Sequence, residues 1–564
     1  MKKINGFYDS IKKNINFLHS SYKTNNMCAY LSASTIGLFM VLYYFPMKFL
    51  YGALPNSAFS LDNDFLQHII GQIYFLQQPW SGNLLVAKNL DAPNGVNIGL
   101  TDSIPLEIIF IKLLHPLFPS VHQGITIFLA LCWFLQPICA VFALRSMGEK
   151  RLLTNIAVAV FAACMPTYLN RVSHTALCAH WILLLSLGCY FRSVTCINNR
   201  IYIIILSILP VLTFLIHPYL MVMVLAIQLA FPLGCLLTNK NVIKSFFCFI
   251  PNLISVISIV IIGFILKYWG ASGGGGYGLY SMNIAAPFWP VHSSLFPSAS
   301  SAIVDATGDQ GFEGYQYLGA GLLILLFNLL FKSKGREILK ESFFKYKGLF
   351  VICAILTLIS LSNKIYFFHF NLLNSNFHLP GSKQLRSSGR LFWPIAYFIL
   401  LGSIAGIRKI YPRLWPVMLI TCMVLQWVDT SALREQFKNS QNLFLLKPTD
   451  ADKNTAEFIA PFKKIEIYPR LECDTSDRNT VIKYIYLAAL KNIPVNTMYL
   501  ARIPKNIKCD TNKNQPTDLN SDTLFILTGI NAQKISNELT KSKKMDCSIL
   551  NNHDIACAIQ KNLQ

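Results

Sequence analysis

The sequence predicts a mainly α-helical polytopic membrane protein of about eleven spans, ending in a small soluble α/β domain. Three observations predict it. Apolar residues fill 53% of the 564 positions and charged residues only 13%, with a mean hydropathy of +0.43; a soluble domain carries roughly twice that share of charge. The apolar residues fall in long runs, and Lys and Arg cluster in alternate short loops between them. From Asp429 onward the composition becomes that of an ordinary soluble chain. The formal charge of +22 therefore orients the chain in a lipid bilayer and suits anionic lipid at its surface; it does not point to nucleic acid.

The elements follow in order. Residues 1–26 are polar and basic, carrying Lys2, Lys3, Lys12, Lys13 and Lys23, and are expected on the cytoplasmic side. The run Cys28 to Tyr51 is too long for a signal-peptide core and lacks a small-residue cleavage site, so it is expected to remain as the first span. The membrane domain is expected over residues 27–428, with external loops at about 52–122, 267–316 and 362–390. Within the first loop, SIPLEIIFIKLLHPLF is broken by Pro105 and Pro116 and reads as a helix lying on the outer face. Further apolar runs begin at Gly124, Leu152, Leu177, Ile201, Tyr219, Phe246, Gly319, Leu349, Phe392 and Leu414. The basic stretch Lys332 to Lys347 falls on the cytoplasmic side by this count.

Residues 429–564 are expected to form one external α/β domain, with KKIEIYP and DTLFILTG as strand-like runs. Of 15 cysteines, Cys473, Cys509, Cys547 and Cys557 lie in this domain, where an oxidising compartment would allow two disulfides in any of three pairings. The other eleven lie in or near the spans and read as small buried apolar residues.

Candidate functional residues concentrate in the loops expected outside. LDNDFLQHII, from Leu61 to Ile70, places Asp62, Asp64 and His68 in an otherwise apolar region. Asp62-Asn63-Asp64 reads as the N-cap of the helix that follows, or as a reactive acid with His68 four residues on and on the same helical face. The Asp62/Asp64 spacing also suits a divalent cation; two acids alone are too weak a pattern to assign a metal, and no cofactor is expected. Arg171 and His174 lie at one span end, Glu313 lies in the long glycine-containing loop, and Lys383, Arg386 and Arg390 precede another span. The plainer reading of those three cations is an anchor ring at the membrane surface, and of Glu313 a cap for a helix starting near Tyr315. No P-loop, GxSxG or CxxC pattern occurs, which disfavours ATPase, serine hydrolase and zinc chemistry.

Six stretches occur in order between Ser60 and Arg502: DFLQHIIGQIYFLQQPW, TDSIPLEIIF, EGYQYLGAGLL, RSSGRLFWP, QWVD and NTMYLAR. Together they resemble a poorly characterised family of bacterial polytopic membrane proteins related to GT-C glycosyltransferases. The resemblance implies a GT-C-like bundle in the bacterial inner membrane, N-terminus cytoplasmic and C-terminal domain periplasmic. It implies a polyprenyl-phosphate-linked sugar as donor and a surface polysaccharide of O-antigen or lipopolysaccharide type as acceptor. Asp64 matches the acid of the first loop, with Asp62 an extra acid beside it, and Arg386 and Arg390 sit where related enzymes hold the donor phosphate. On this reading Lys383, Arg171 and His174 join the donor-binding set, and Glu313 and His68 orient substrates. Rival expectations are a transporter or flippase of lipid-linked glycans, a ligase acting on whole glycans, and a non-catalytic assembly protein. A transporter would place acids and cations in the middle of its spans, where Asp and Glu are nearly absent here.

Overall fold

The computed structural model describes residues 25–80, 83–171, 174–195, 200–238, 242–269, 275–377, 380–503, 509, 520–543, 545–551 and 554–559. The five N-terminal lysines, Lys240, Val172 and Ser173 between Arg171 and His174, and Gly273 and Gly274 of the glycine run lie outside the described residues.

All eleven apolar runs are helical, and they make a membrane-embedded bundle. Seven helices are long and apolar enough to cross alone: Asn25–Tyr44, Ile125–Met147, Leu152–Leu169, Thr175–Thr195, Pro218–Thr238, Ser245–Ile265 and Ser388–Ile410. Lys347–Leu361 and Trp415–Asp429 reach that length only together with the helix beside them, across bends of 99° and 49°. Arg200–Phe214 and Ala320–Phe331 have 15 and 12 residues, roughly 23 and 18 Å of helix against about 30 Å of hydrocarbon. The expected eleven spans thus become seven to nine among the described residues. The physical reason is that an apolar run marks burial in lipid or in protein alike, without showing that its helix crosses.

Local chemistry sets several ends. Gly148, at φ 107°, closes Ile125–Met147 in a conformation that a side chain would strain. Pro105 opens the short helix Pro105–Leu114, where its missing N–H costs nothing. In the core, the Trp133 ring lies 4.5 Å from Tyr44, 4.5 Å from Tyr168 and 4.7 Å from Phe437. It thereby fastens the first span and the helix Ser431–Asn442 to the bundle. The QWVD stretch is structural. Asp429 accepts hydrogen bonds from Ser293, from Tyr317 Oη at 2.9 Å and from the Ala320 N–H at 2.8 Å. Gln426 Nε2 donates to the Leu318 carbonyl at 3.2 Å.

The C-terminal domain is a four-stranded sheet in the order Lys464–Tyr468, Thr523–Leu527, Asp554–Ile559, Met545–Asn551. The first pair is parallel and the other two are antiparallel. TLFIL is buried along its whole length, as a central strand covered on both faces must be. Of the three possible pairings the structure has Cys473–Cys509 and Cys547–Cys557.

This domain is docked, not tethered. Its helix Arg478–Leu490 packs against Asn63–Gln77 of the first loop. Tyr74 Oη donates to the Ile493 carbonyl at 2.6 Å, and Tyr486 Oη to the Pro55 carbonyl at 2.7 Å. Asp452 caps its own helix and also accepts from Ser57 Oγ at 2.7 Å and the Ala58 N–H at 2.8 Å. The domain therefore forms a roof over the loop that carries Asp64.

Candidate active site

The two acids of the first loop have different surroundings. Asp62 is the N-cap of Asn63–Gln77, its Oδ1 accepting from the Asp64 N–H at 2.9 Å and the Phe65 N–H at 3.4 Å. Asp64 sits in the first turn with its side chain 37% exposed, and its Oδ2 lies 3.9 Å from His174 Nε2. Burial, then the neighbouring Asp62 charge, raises the proton affinity of Asp64 above that of an ordinary aspartate, against the pull of His68 and Arg478. One turn further on, His68 is buried, and its Nδ1 lies 2.7 Å from the Asp102 carbonyl oxygen. A carbonyl only accepts, so Nδ1 carries the hydrogen, and in the neutral ring Nε2 keeps its lone pair. That Nε2 is buried with no partner among the described residues.

Behind His174 stands a buried charge cluster assembled from three separate segments of the chain. Arg171 Nη1 lies 3.0 Å from Glu313 Oε2, and its Nη2 donates to the Phe312 carbonyl at 2.8 Å. Arg390 takes the other side of the same carboxylate, Nε donating to Oε2 at 2.6 Å and Nη2 to Oε1. The loops approach this closely because two glycines meet. A Cβ on Gly389 would come within 2.9 Å of the Gly314 Cα and 3.0 Å of the Glu313 carbonyl oxygen. Gln316 Nε2 ties the same junction by donating to the Gly389 carbonyl at 2.8 Å.

Burial opposes ionisation of Glu313, yet the two guanidiniums outweigh it and hold this carboxyl well below its usual range. Two arginines on one carboxylate leave a net positive wall. His174 Nε2 lies 3.9 Å from Glu313 Oε1. Burial, reinforced by Arg390, lowers His174 to about 3, so it is neutral near neutral pH.

Glu313 is thus the counter-ion of two arginines and not a helix cap; the next helix begins at Ala320. Both guanidinium edges that Arg390 turns toward this cluster are engaged by Glu313. The triple Lys383, Arg386 and Arg390 divides by burial: Lys383 is exposed, Arg386 half-buried over the Tyr280 ring at 5.2 Å, Arg390 buried. Among the described residues no group of three His, Cys, Asp or Glu side chains converges as metal ligands would.

Four further residues contribute: Asp102, one of the loop acids visible in the sequence, and three that sequence reasoning did not single out. Tyr219 Oη accepts from the Ser387 N–H at 2.8 Å, and the Arg390 guanidinium lies 4.8 Å over the Tyr219 ring. Asp102 adopts a left-handed backbone, φ 53°, that directs its carbonyl to His68. Tyr499 and Arg502 come from the C-terminal domain, where the Tyr499 carbonyl accepts from Gln67 Nε2 at 3.0 Å. A signal for three of the four existed. Asp102 stands in TDSIPLE, and Tyr499 and Arg502 stand in NTMYLAR.

Fold and site define a polytopic membrane protein whose interspan loops and terminal α/β domain converge on one acid, two histidines and a buried cationic cluster. The chain belongs to the DUF6311 family: the model described as "Domain of unknown function (DUF6311)" matches residues 34–431, and "DUF6311 C-terminal domain" matches residues 454–558. No curated protein matches in sequence. Among solved structures, the crystal structure of ArnT from Cupriavidus metallidurans bound to undecaprenyl phosphate is similar at a TM-score of 0.47 and 9% identity, covering 94% of this chain and 98% of that one. That is a loose likeness.

Proposed function

We propose that this protein is a membrane-embedded glycosyltransferase of GT-C type. It moves one sugar from a polyprenyl-phosphate donor to a hydroxyl of a surface glycan, of O-antigen or lipopolysaccharide type, on the periplasmic face of the inner membrane. The observation that carries the reading is Asp64. Its half-buried carboxylate has raised proton affinity and lies 3.9 Å from a neutral histidine, in front of a net positive wall.

In this mechanism Asp64 takes the proton of the acceptor hydroxyl. The acceptor oxygen bonds to the anomeric carbon while the bond from that carbon to the phosphate oxygen breaks, and the phosphate keeps the electron pair. A single displacement inverts the anomeric centre. The growing phosphate charge is met by preset guanidiniums, with Arg386 on the open side and the Arg171–Glu313–Arg390 cluster fixing the wall behind. His68 and His174 orient the substrates and Asp64.

Two further observations support the reading. The two disulfides of the C-terminal domain suit an oxidising compartment. The seven single-helix spans contain no Asp or Glu, so none of them carries a carboxylate for proton or cation coupling of the kind that transporters use.

The test is the mass and composition of surface polysaccharide from cells carrying wild type, Asp62→Ala or Asp64→Ala at matched membrane levels. A sugar-sized increment present with wild type and absent with Asp64→Ala is expected. No increment from wild type on any surface glycan would overturn the assignment in favour of transport or assembly.

A further inference from the structure

Two guanidiniums at this site form no salt bridge with an acid among the described residues. Arg502 reaches from the C-terminal domain, Nη1 donating to the Ala501 carbonyl at 2.7 Å and Nη2 to the Gln384 carbonyl at 3.1 Å. Gln384 lies two residues before Arg386 on the loop that enters the span Ser388–Ile410. Both arginines are half-buried, and neither forms an ion pair with any acid among the described residues. Arg390 is the contrast, because it is ion-paired with Glu313.

The position of Arg502 is built, not incidental. On its N-terminal side the Ala501 N–H donates to the Leu100 carbonyl at 2.9 Å, and Gln67 holds the Tyr499 carbonyl. The strand-like NTMYLAR stretch is thereby fastened across the first loop, and its last side chain is delivered to the Gln384–Arg386 loop. Burial, with the charges of Arg386 and Arg390 adding to it, holds Arg502 below its ordinary value, although Tyr219 and Asp102 oppose that shift. Gln384 links Arg502 to the loop of Arg386, and a guanidinium held partly out of bulk water beside like charge costs free energy unless an anion joins it. Arginine forks match the oxygens of a phosphate in geometry as well as charge.

We infer that Arg386 and Arg502 together form a site for one phosphate group, closed from above by the C-terminal domain. The recognised chemistry is a phosphate ester or free phosphate. That the phosphate belongs to a lipid-linked donor rests on the proposed function; the anion site does not. On this inference the C-terminal domain supplies one of the two gripping residues, so it is part of the donor site and more than a support or an acceptor platform.

The experiment measures binding to the purified full-length protein in lipid nanodiscs, using farnesyl phosphate, farnesol and inorganic phosphate as probes. Wild type, Arg386→Gln, Arg502→Gln and Arg502→Lys are compared. Farnesyl phosphate should bind wild type, weaken about 10-fold or more in each glutamine variant, and recover in part with Arg502→Lys. Farnesol should show no dependence on either arginine. Inorganic phosphate bound alone with the same dependence would support the site and assign it to free phosphate. Equal binding of farnesyl phosphate by wild type and both glutamine variants would overturn the inference. The Arg386 guanidinium hydrogen-bonds to nothing among the described residues, so Arg386→Gln removes charge without removing a structural bond. Arginine-dependent binding without any sugar transfer by wild type would sink the proposed function and leave this site standing. Transfer with unaltered binding in the variants would do the reverse.

Discussion

Asp62 and Asp64 are two positions apart and chemically alike, yet one closes a helix and the other faces His174. Replacing Asp62 with Ala should therefore cost about 0.5–2 kcal/mol of stability, read as a lower thermal midpoint, with little change in rate. On the proposed mechanism Asp64 acts as a base only when ionised. Its raised proton affinity places the acid limb of the pH–rate profile above the ordinary aspartate value of 3.8, with activity lost as pH falls through it. His174, lowered to about 3, should add no limb near neutral pH. A profile flat down to the ordinary aspartate range would contradict this assignment. At this scale the acids were legible in LDNDFLQHII, and the choice between them was not, because a cap is defined by backbone geometry. Arg390 was read as a free cation since its partner Glu313 is 77 residues away and no periodicity connects them.

The spans were legible because an apolar run is a local property. Whether a short helix such as Arg200–Phe214 or Ala320–Phe331, or a bent pair, crosses the bilayer was not. In the C-terminal domain KIEIY and TLFIL were visible as strands, while their parallel pairing depends on a crossover through Arg478–Leu490 that no short pattern records. The same non-locality governs packing between helices. Trp133 joins Tyr44, Tyr168 and Phe437 from three other helical segments. Trp133→Ala should cost about 3–5 kcal/mol, detected as a sharply lower midpoint of unfolding in detergent. A loss below about 1 kcal/mol would mean that the first span is held by something else.

Over the whole molecule, the C-terminal composition change was plain at Asp429, but its consequence was not: the domain roofs the first loop and sends Arg502 into the site. That arrangement depends on buried polar bonds between distant parts of the chain, Asp452 to Ser57 and Ala58 among them. Asp452→Ala leaves those donors without their acceptor, at about 1–3 kcal/mol for each group left unsatisfied. Faster hydrogen exchange at Ala58 and along Asn63–Gln77 should follow, together with weaker transfer. Unchanged exchange there would show that the domain docks independently of this contact.

The most direct test of the account is sugar transfer by purified protein from a polyprenyl-phosphate sugar to surface glycan, comparing wild type, Asp62→Asn and Asp64→Asn. The account predicts transfer by wild type, transfer within a few-fold by Asp62→Asn, and a loss of about 100- to 10,000-fold with Asp64→Asn. Full activity of Asp64→Asn, or a loss confined to Asp62→Asn, would contradict it.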